Sequence, residues 1–87
     1  MIRIVVVEDE PLARQHLMNL LSELPGLSVV AAAENGRLGL AAIAEHRPDA
    51  VFLDIEMPGI TGTELISLFR PILLSRNHMT ELILFGQ

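Results

Sequence analysis

Ile2-Arg3-Ile4-Val5-Val6-Val7-Glu8-Asp9-Glu10, an apolar run that ends in three acids, decides how this chain is read. A second run of the same kind, Ala50-Val51-Phe52-Leu53, ends in Asp54, with Glu56 two residues on and Met57-Pro58-Gly59 beyond it. Strands buried on both faces read as unbroken Val/Ile/Leu stretches, the pattern of parallel strands sandwiched between helices. In open α/β sheets the ligand site lies outside the carboxyl ends of the strands. Both acid clusters therefore belong at one rim of one sheet. Carboxylates gathered there suit a hard divalent cation, and a carboxylate can also serve as the nucleophile in phosphoryl transfer.

Between and beyond these runs the chain alternates regularly. Pro11 suits a first helical turn, where its missing N–H is not needed. Ala13, Leu17, Leu20, Leu21 and Leu24 follow at helical spacing until Pro25-Gly26 stops the helix, with Leu17, Leu20 and Leu24 expected as its core stripe. Leu27–Ala33 reads as a second strand, Asn35-Gly36 as a cap, and Leu38–Glu45 as an Ala-rich helix closed off by Pro48. Ala50–Leu53 is the third strand. Thr61-Gly62-Thr63-Glu64 fits a capping box, with Leu65, Ile66, Leu68 and Phe69 continuing a helix that Pro71 should kink or end. Leu82–Phe85 reads as a fourth strand, while the stretch from Ile72 to Met79 follows no clear pattern. Strand and helix in alternation imply an α/β fold with a parallel sheet and right-handed crossovers.

Composition narrows the function. A chain of 87 residues holds at most one small domain, and with 51% hydrophobic residues but only three Phe and no Trp or Tyr its core must be aliphatic. No run is long enough to span a bilayer and none reads as a signal peptide, so a soluble, cytoplasmic segment without a membrane partner is expected. The absence of Cys removes disulfides, thiolate metal sites and cysteine nucleophiles. A net charge of −5 without a basic cluster argues against nucleic-acid binding by this segment. Every Lys/Arg cation is Arg, and the sequence contains no Lys. His16, His46 and His78 lack metal-ligand spacing, and no Ser or Thr has the partners of a hydrolytic triad. Met57 reads as a packing residue, Arg14 and Arg37 as surface charges. Glu8-Asp9-Glu10 alone could merely complement a helix dipole; paired with Asp54 it points to a site.

Val5-Val6-Val7-Glu8-Asp9-Glu10-Pro11-Leu12-Ala13-Arg14, together with Asp54-Ile55-Glu56-Met57-Pro58-Gly59 and Gly62, resembles the receiver domain of two-component response regulators, in the flavour found in LytTR-type transcriptional regulators. The likeness covers roughly residues 2–70. It implies a doubly wound, flavodoxin-like parallel sheet with strand order 2-1-3-4, and Asp54 as acceptor of a phosphoryl group from a sensor histidine kinase. It also implies Mg²⁺ held by Asp9, Asp54 and the backbone carbonyl of Glu56, with Glu8 acting through water. Such a module signals by a single transfer and is not an enzyme with turnover.

The last third departs from the family, which places Ser or Thr at the end of strand four and Lys at the end of strand five. Aligning Leu82–Phe85 with strand four puts Gly86 at the hydroxyl position, and no Lys is present. The expectation is one partial receiver domain over residues 1–87: receiver-like to residue 70, then a divergent tail from 71 to 87 that lacks the last βα elements. Phosphorylation should be impaired, because phosphate adds roughly −1.5 to −2 charges and both usual partners are missing. A non-switching pseudo-receiver acting as an interaction module is the alternative. A phosphohydrolase with an aspartyl nucleophile is a weaker one, since Asp54-Ile55-Glu56 only approximates Asp-x-Asp. Strand four, left at the sheet edge, would expose unpaired N–H and C=O groups, so a homodimer joined through Met79–Phe85 is expected.

Overall fold

The structure, a computed structural model, describes residues 1–57, 62–73 and 79–86. Among these residues four strands, β1 (Ile2–Val7), β2 (Leu27–Ala33), β3 (Ala50–Asp54) and β4 (Glu81–Phe85), alternate with three helices, α1 (Pro11–Ser22), α2 (Gly36–His46) and α3 (Gly62–Leu73). Every strand pairing is parallel, and the order is β2-β1-β3-β4, as the resemblance implied.

The two apolar runs form strands for the reason their composition suggests: Ile4 to Val7 in β1, with Val51 and Leu53 in β3, are almost wholly removed from solvent. Strand alternation sends successive side chains to opposite faces. Val5, Val7, Val51 and Leu53 pack with Ala33, Ile43 of α2, Met57 and Phe69 of α3. Ile4, Val6 and Ala50 pack on the other face with Leu21 of α1, flanked by Leu17, Met18 and Phe52. Met57 is thus the packing residue its position suggested.

Caps and ties fix the ends. Asn35 accepts from the Leu38 N–H at 2.8 Å, starting α2. At its far end Arg47 adopts φ 46° and donates its N–H to Ile43 O at 2.8 Å. The Arg3 guanidinium donates to His46 O at 2.6 Å, tying this helix end to β1. Thr80, buried, donates to Pro48 O at 2.7 Å, and the Glu81 N–H donates to Asp49 O at 2.9 Å, which anchors the start of β4.

One expectation needs correction. Leu20 and Leu24 are about half exposed, and the stripe that meets the sheet is Leu17, Met18 and Leu21. Leu20 sits about 100° round the helix from Leu21, and Leu24 lies beyond the last helical residue, where helical spacing no longer sets direction. Of the two outcomes expected at Pro71, a kink or an end, the end is not seen, because α3 continues to Leu73. Proline forfeits one hydrogen bond, to the carbonyl four residues earlier. Both Pro71 and Ser67 are exposed, so water can reach that carbonyl. The expected cap Thr61 and the Pro58-Gly59 turn lie outside the described residues, as does His78.

α2 approaches the sheet closely at Gly39. A Cβ there would stand 2.7 Å from Val7 Cγ2 and 3.3 Å from Phe69 Cζ, both on fully buried residues. Gly39→Ala should therefore destabilise the fold despite the gain in helix propensity of about 1 kcal/mol, since overpacking costs about 1–3 kcal/mol. Thermal unfolding reads this directly, and a raised Tm would show that Val7 yields without strain.

Candidate functional site

The carboxyl end of β1 hands the chain to three acids that do two different jobs. Glu10 caps α1: its Oε2 accepts the Ala13 N–H at 2.6 Å. Glu8 and Asp9 turn instead toward β3, where Asp54 is the last strand residue. Ligand oxygens of Glu8, Asp9 and Asp54 lie within 4.8 Å of one another. β1 and β3 are hydrogen-bonded neighbours with Val7 opposite Leu53, so the next residues of each necessarily meet at the same rim.

Backbone bonds hold this group in place. The Glu8 N–H donates to Ala33 O at 3.0 Å, continuing the ladder to β2. Arg14 Nη1 donates to Glu8 O at 2.9 Å. Arg14, read from sequence as a surface charge, is half-buried and binds the acid loop from the first turn of α1. Six residues separate it from Glu8, so no helical side-chain spacing signals this contact. The Glu56 N–H donates to Asp54 Oδ1 at 2.9 Å, and the Ile55 N–H donates to Phe85 O at 2.9 Å. These bonds fix the carboxylate of Asp54 and the exit of β4 in one register.

Glu8 and Asp54 are buried and Asp9 half-buried. Among the described residues, Glu8 Oε2 is buried with no hydrogen-bond partner. Burial, first, and then the neighbouring carboxylates of Asp54 and Asp9 push the Glu8 carboxyl up to about 7. The cause is ordinary: a carboxylate taken from water beside two others resists ionisation. A divalent cation relieves both costs at once. Oxygens around Mg²⁺ stand about 3.0 Å apart when adjacent and about 4.2 Å when opposite, and the ligand oxygens here lie within 4.8 Å of one another. The orphaned Glu8 oxygen and the all-oxygen donor set therefore fit the ion that the resemblance implied. Glu56 enters the site by its backbone, with its side chain exposed.

On the other side of Asp54 stands Gly86, just past β4. A Cβ on it would lie 2.6 Å from Asp54 Oδ1 and 3.4 Å from Ile55 Cγ1. The alignment of Leu82–Phe85 with strand four, which set Gly86 just past it, agrees with this geometry. Among the described residues no helix is long and apolar enough to cross a membrane.

The family profile of the response regulator receiver domain matches residues 4–84. An uncharacterized response regulatory protein of Vibrio cholerae is 56% identical over 62 residues, which are 70% of this chain and 24% of that protein. The response regulator domain of Thermotoga maritima CheB superposes with a TM-score of 0.81 at 30% identity, covering 97% of this chain and 59% of that one. The complex of histidine kinase ThkA with response regulator protein TrrA gives a TM-score of 0.75 at 38% identity, covering 97% and 67%. Across the first three curated relatives the chain spans only 24% to 30% of their length. The narrower LytTR-type affinity finds no support in these comparisons.

Proposed function

Since this chain belongs to the response regulator receiver domain family, we propose that Asp54 is its phosphoacceptor and that a sensor histidine kinase is the donor. The buried, partnerless Glu8 oxygen beside Asp9 and Asp54 carries this reading, because it marks a place built for a cation. Glu8, Asp9 and Asp54, with the Glu56 carbonyl, would hold Mg²⁺, which supplies charge neutralisation for the incoming phosphoryl group. The Glu56 N–H keeps the Asp54 carboxylate oriented. One Asp54 oxygen bonds to phosphorus as the P–N bond of the donor histidine breaks, and the departing imidazole nitrogen takes up a proton. Binding of this family to kinases has a parallel in the ThkA–TrrA complex.

The transfer is read as a single event per chain in a cytoplasmic signalling segment, and the charge of −5 speaks against nucleic-acid contact by these residues. Output should be weak, since Gly86 offers no hydroxyl at the end of β4. That observation favours the second reading, a pseudo-receiver that keeps the fold and acids without switching. Among the described residues β4 pairs only with β3, and Met79, Ile83 and Leu84 are exposed, which supports a homodimer through Met79–Phe85. A solution mass equal to one chain would refute that contact.

Intact mass after incubation with Mg²⁺ and acetyl phosphate tests the acceptor. The expected result is one added phosphoryl group, absent with Asp54→Ala and absent without metal. No added mass in folded protein would leave the pseudo-receiver reading. Sustained release of inorganic phosphate over many turnovers would instead favour a phosphohydrolase.

A further inference from the structure

The Glu8 carbonyl belongs to the peptide that joins Glu8 to Asp9, two of the three acids grouped at the rim. We propose that Arg14 is a positioning residue for the cation: its guanidinium holds that peptide so that both carboxylates stay aimed at one ion. This rests on the acids holding Mg²⁺, and not on phosphoryl transfer.

The grip is built from both ends. The Glu8 N–H donates to Ala33 O at 3.0 Å, and Arg14 Nη1 donates to Glu8 O at 2.9 Å, so the backbone of Glu8 is held on both sides. Glu8 stands past Val7 and Leu53, the last β1–β3 pair, where the ladder between those strands no longer fixes the chain. Arg14 is itself anchored. Its N–H donates to Glu10 O at 2.9 Å, and Glu10 Oε2 accepts the Ala13 N–H at 2.6 Å. The acid loop is thus tied to α1 by backbone at Glu10 and by the Arg14 side chain at Glu8. Among the described residues Arg14 forms no ion pair with an acid. Its partner is a carbonyl, so it acts on the position of the ligands. Arg14 is half-buried and borders, with Ala31, Ala32 and Ala33, a groove of about 410 Å³, where water can reach its other N–H groups.

Position and charge predict opposite signs. An arginine near a divalent cation repels it, so by charge alone its removal strengthens Mg²⁺ binding. As a clamp on the ligands, its removal weakens binding, since groups that orient metal ligands commonly carry roughly 10–100-fold in affinity.

The experiment titrates Mg²⁺ into wild type, Arg14→Met and Arg37→Met, followed by NMR, each below its own Tm. Arg14→Met keeps an unbranched stem and loses every donor, and it should bind Mg²⁺ about tenfold more weakly. Arg37→Met removes an exposed cation of α2 and should match wild type, because salt screens exposed charges. Unchanged or tighter binding in Arg14→Met overturns the proposal, as does an equal loss in Arg37→Met. Should Arg14→Met not fold, Arg14→Lys decides: it keeps the charge as a compact ammonium of shorter reach. Its affinity should still fall, and affinity equal to wild type overturns the proposal. Folded wild type that binds no Mg²⁺ overturns it together with the cation site. Wild type that binds Mg²⁺ but takes up no phosphoryl group from acetyl phosphate sinks the acceptor reading alone, and weaker binding in Arg14→Met then still upholds the role of Arg14.

Discussion

Phe69→Ala is expected to remove about 3–5 kcal/mol of stability, the usual cost of truncating a buried aromatic ring. Phe69 is fully buried and heads the large side chains that are wholly enclosed. It joins α3 to a cluster that includes Val5 and Val7 of β1, Ile43 of α2 and Met57 below the acid rim. Of the other two Phe, Phe52 packs against the cluster on the opposite face of the sheet. Domains of this size hold only a small surplus of stability. The loss should lower Tm by about 15 °C or more, and Phe69→Leu should recover much of it. Leu68 is about half exposed on the same helix, and Leu68→Ala should change stability by no more than about 0.5 kcal/mol. Urea unfolding of the three variants measures this. A Phe69→Ala cost under about 1 kcal/mol would mean that the core closes over the hole.

The second large effect concerns Glu8. Its carboxyl rises from 4.5 to about 7 in the folded chain, with burial the main cause. Between those two values the native state holds a proton that the unfolded state has released. Stability therefore declines as pH rises from 4.5 to about 7, and the loss is complete above the folded value. Without metal, the protein should melt at a lower temperature at pH 8 than at pH 5. Glu8→Gln removes the charge but keeps the shape. Its difference from wild type isolates the contribution of this group: small near pH 4.5, and about 5 °C in favour of the variant at pH 8, the shift that roughly 1 kcal/mol produces in a domain this small. Mg²⁺ should raise Tm in wild type at pH 8 and raise it less in Glu8→Gln, since a ligand of the native state stabilises by mass action. A difference between variant and wild type that does not depend on pH would show that Glu8 ionises as it does in water.

What was readable in the sequence was whatever depends on local pattern. β1 and β3 announced themselves because strands buried on both faces have no room for a polar alternation. Asn35 could be read as a cap because capping involves residues three apart in the chain. Val7 and Leu53 end in acids, and parallel pairing brings those ends together, so Glu8, Asp9 and Asp54 could be grouped before any coordinates. The positions that failed are those where a side chain's role depends on what lies across the fold. Leu20 has the composition of a core residue, but the line along which α1 meets the sheet passes through Leu17, Met18 and Leu21. Arg14 looks like any surface cation until Glu8 O is found beside it. Glu10 and Glu8 are chemically alike, yet one caps a helix and the other is driven from its ordinary titration range by burial. Gly86 shows the division most sharply. The sequence alone established that no hydroxyl stands there. Only the pairing of β4 with β3 decided that a Cβ would press on Asp54 Oδ1, because that distance depends on two strands some thirty residues apart in the chain being held in one register.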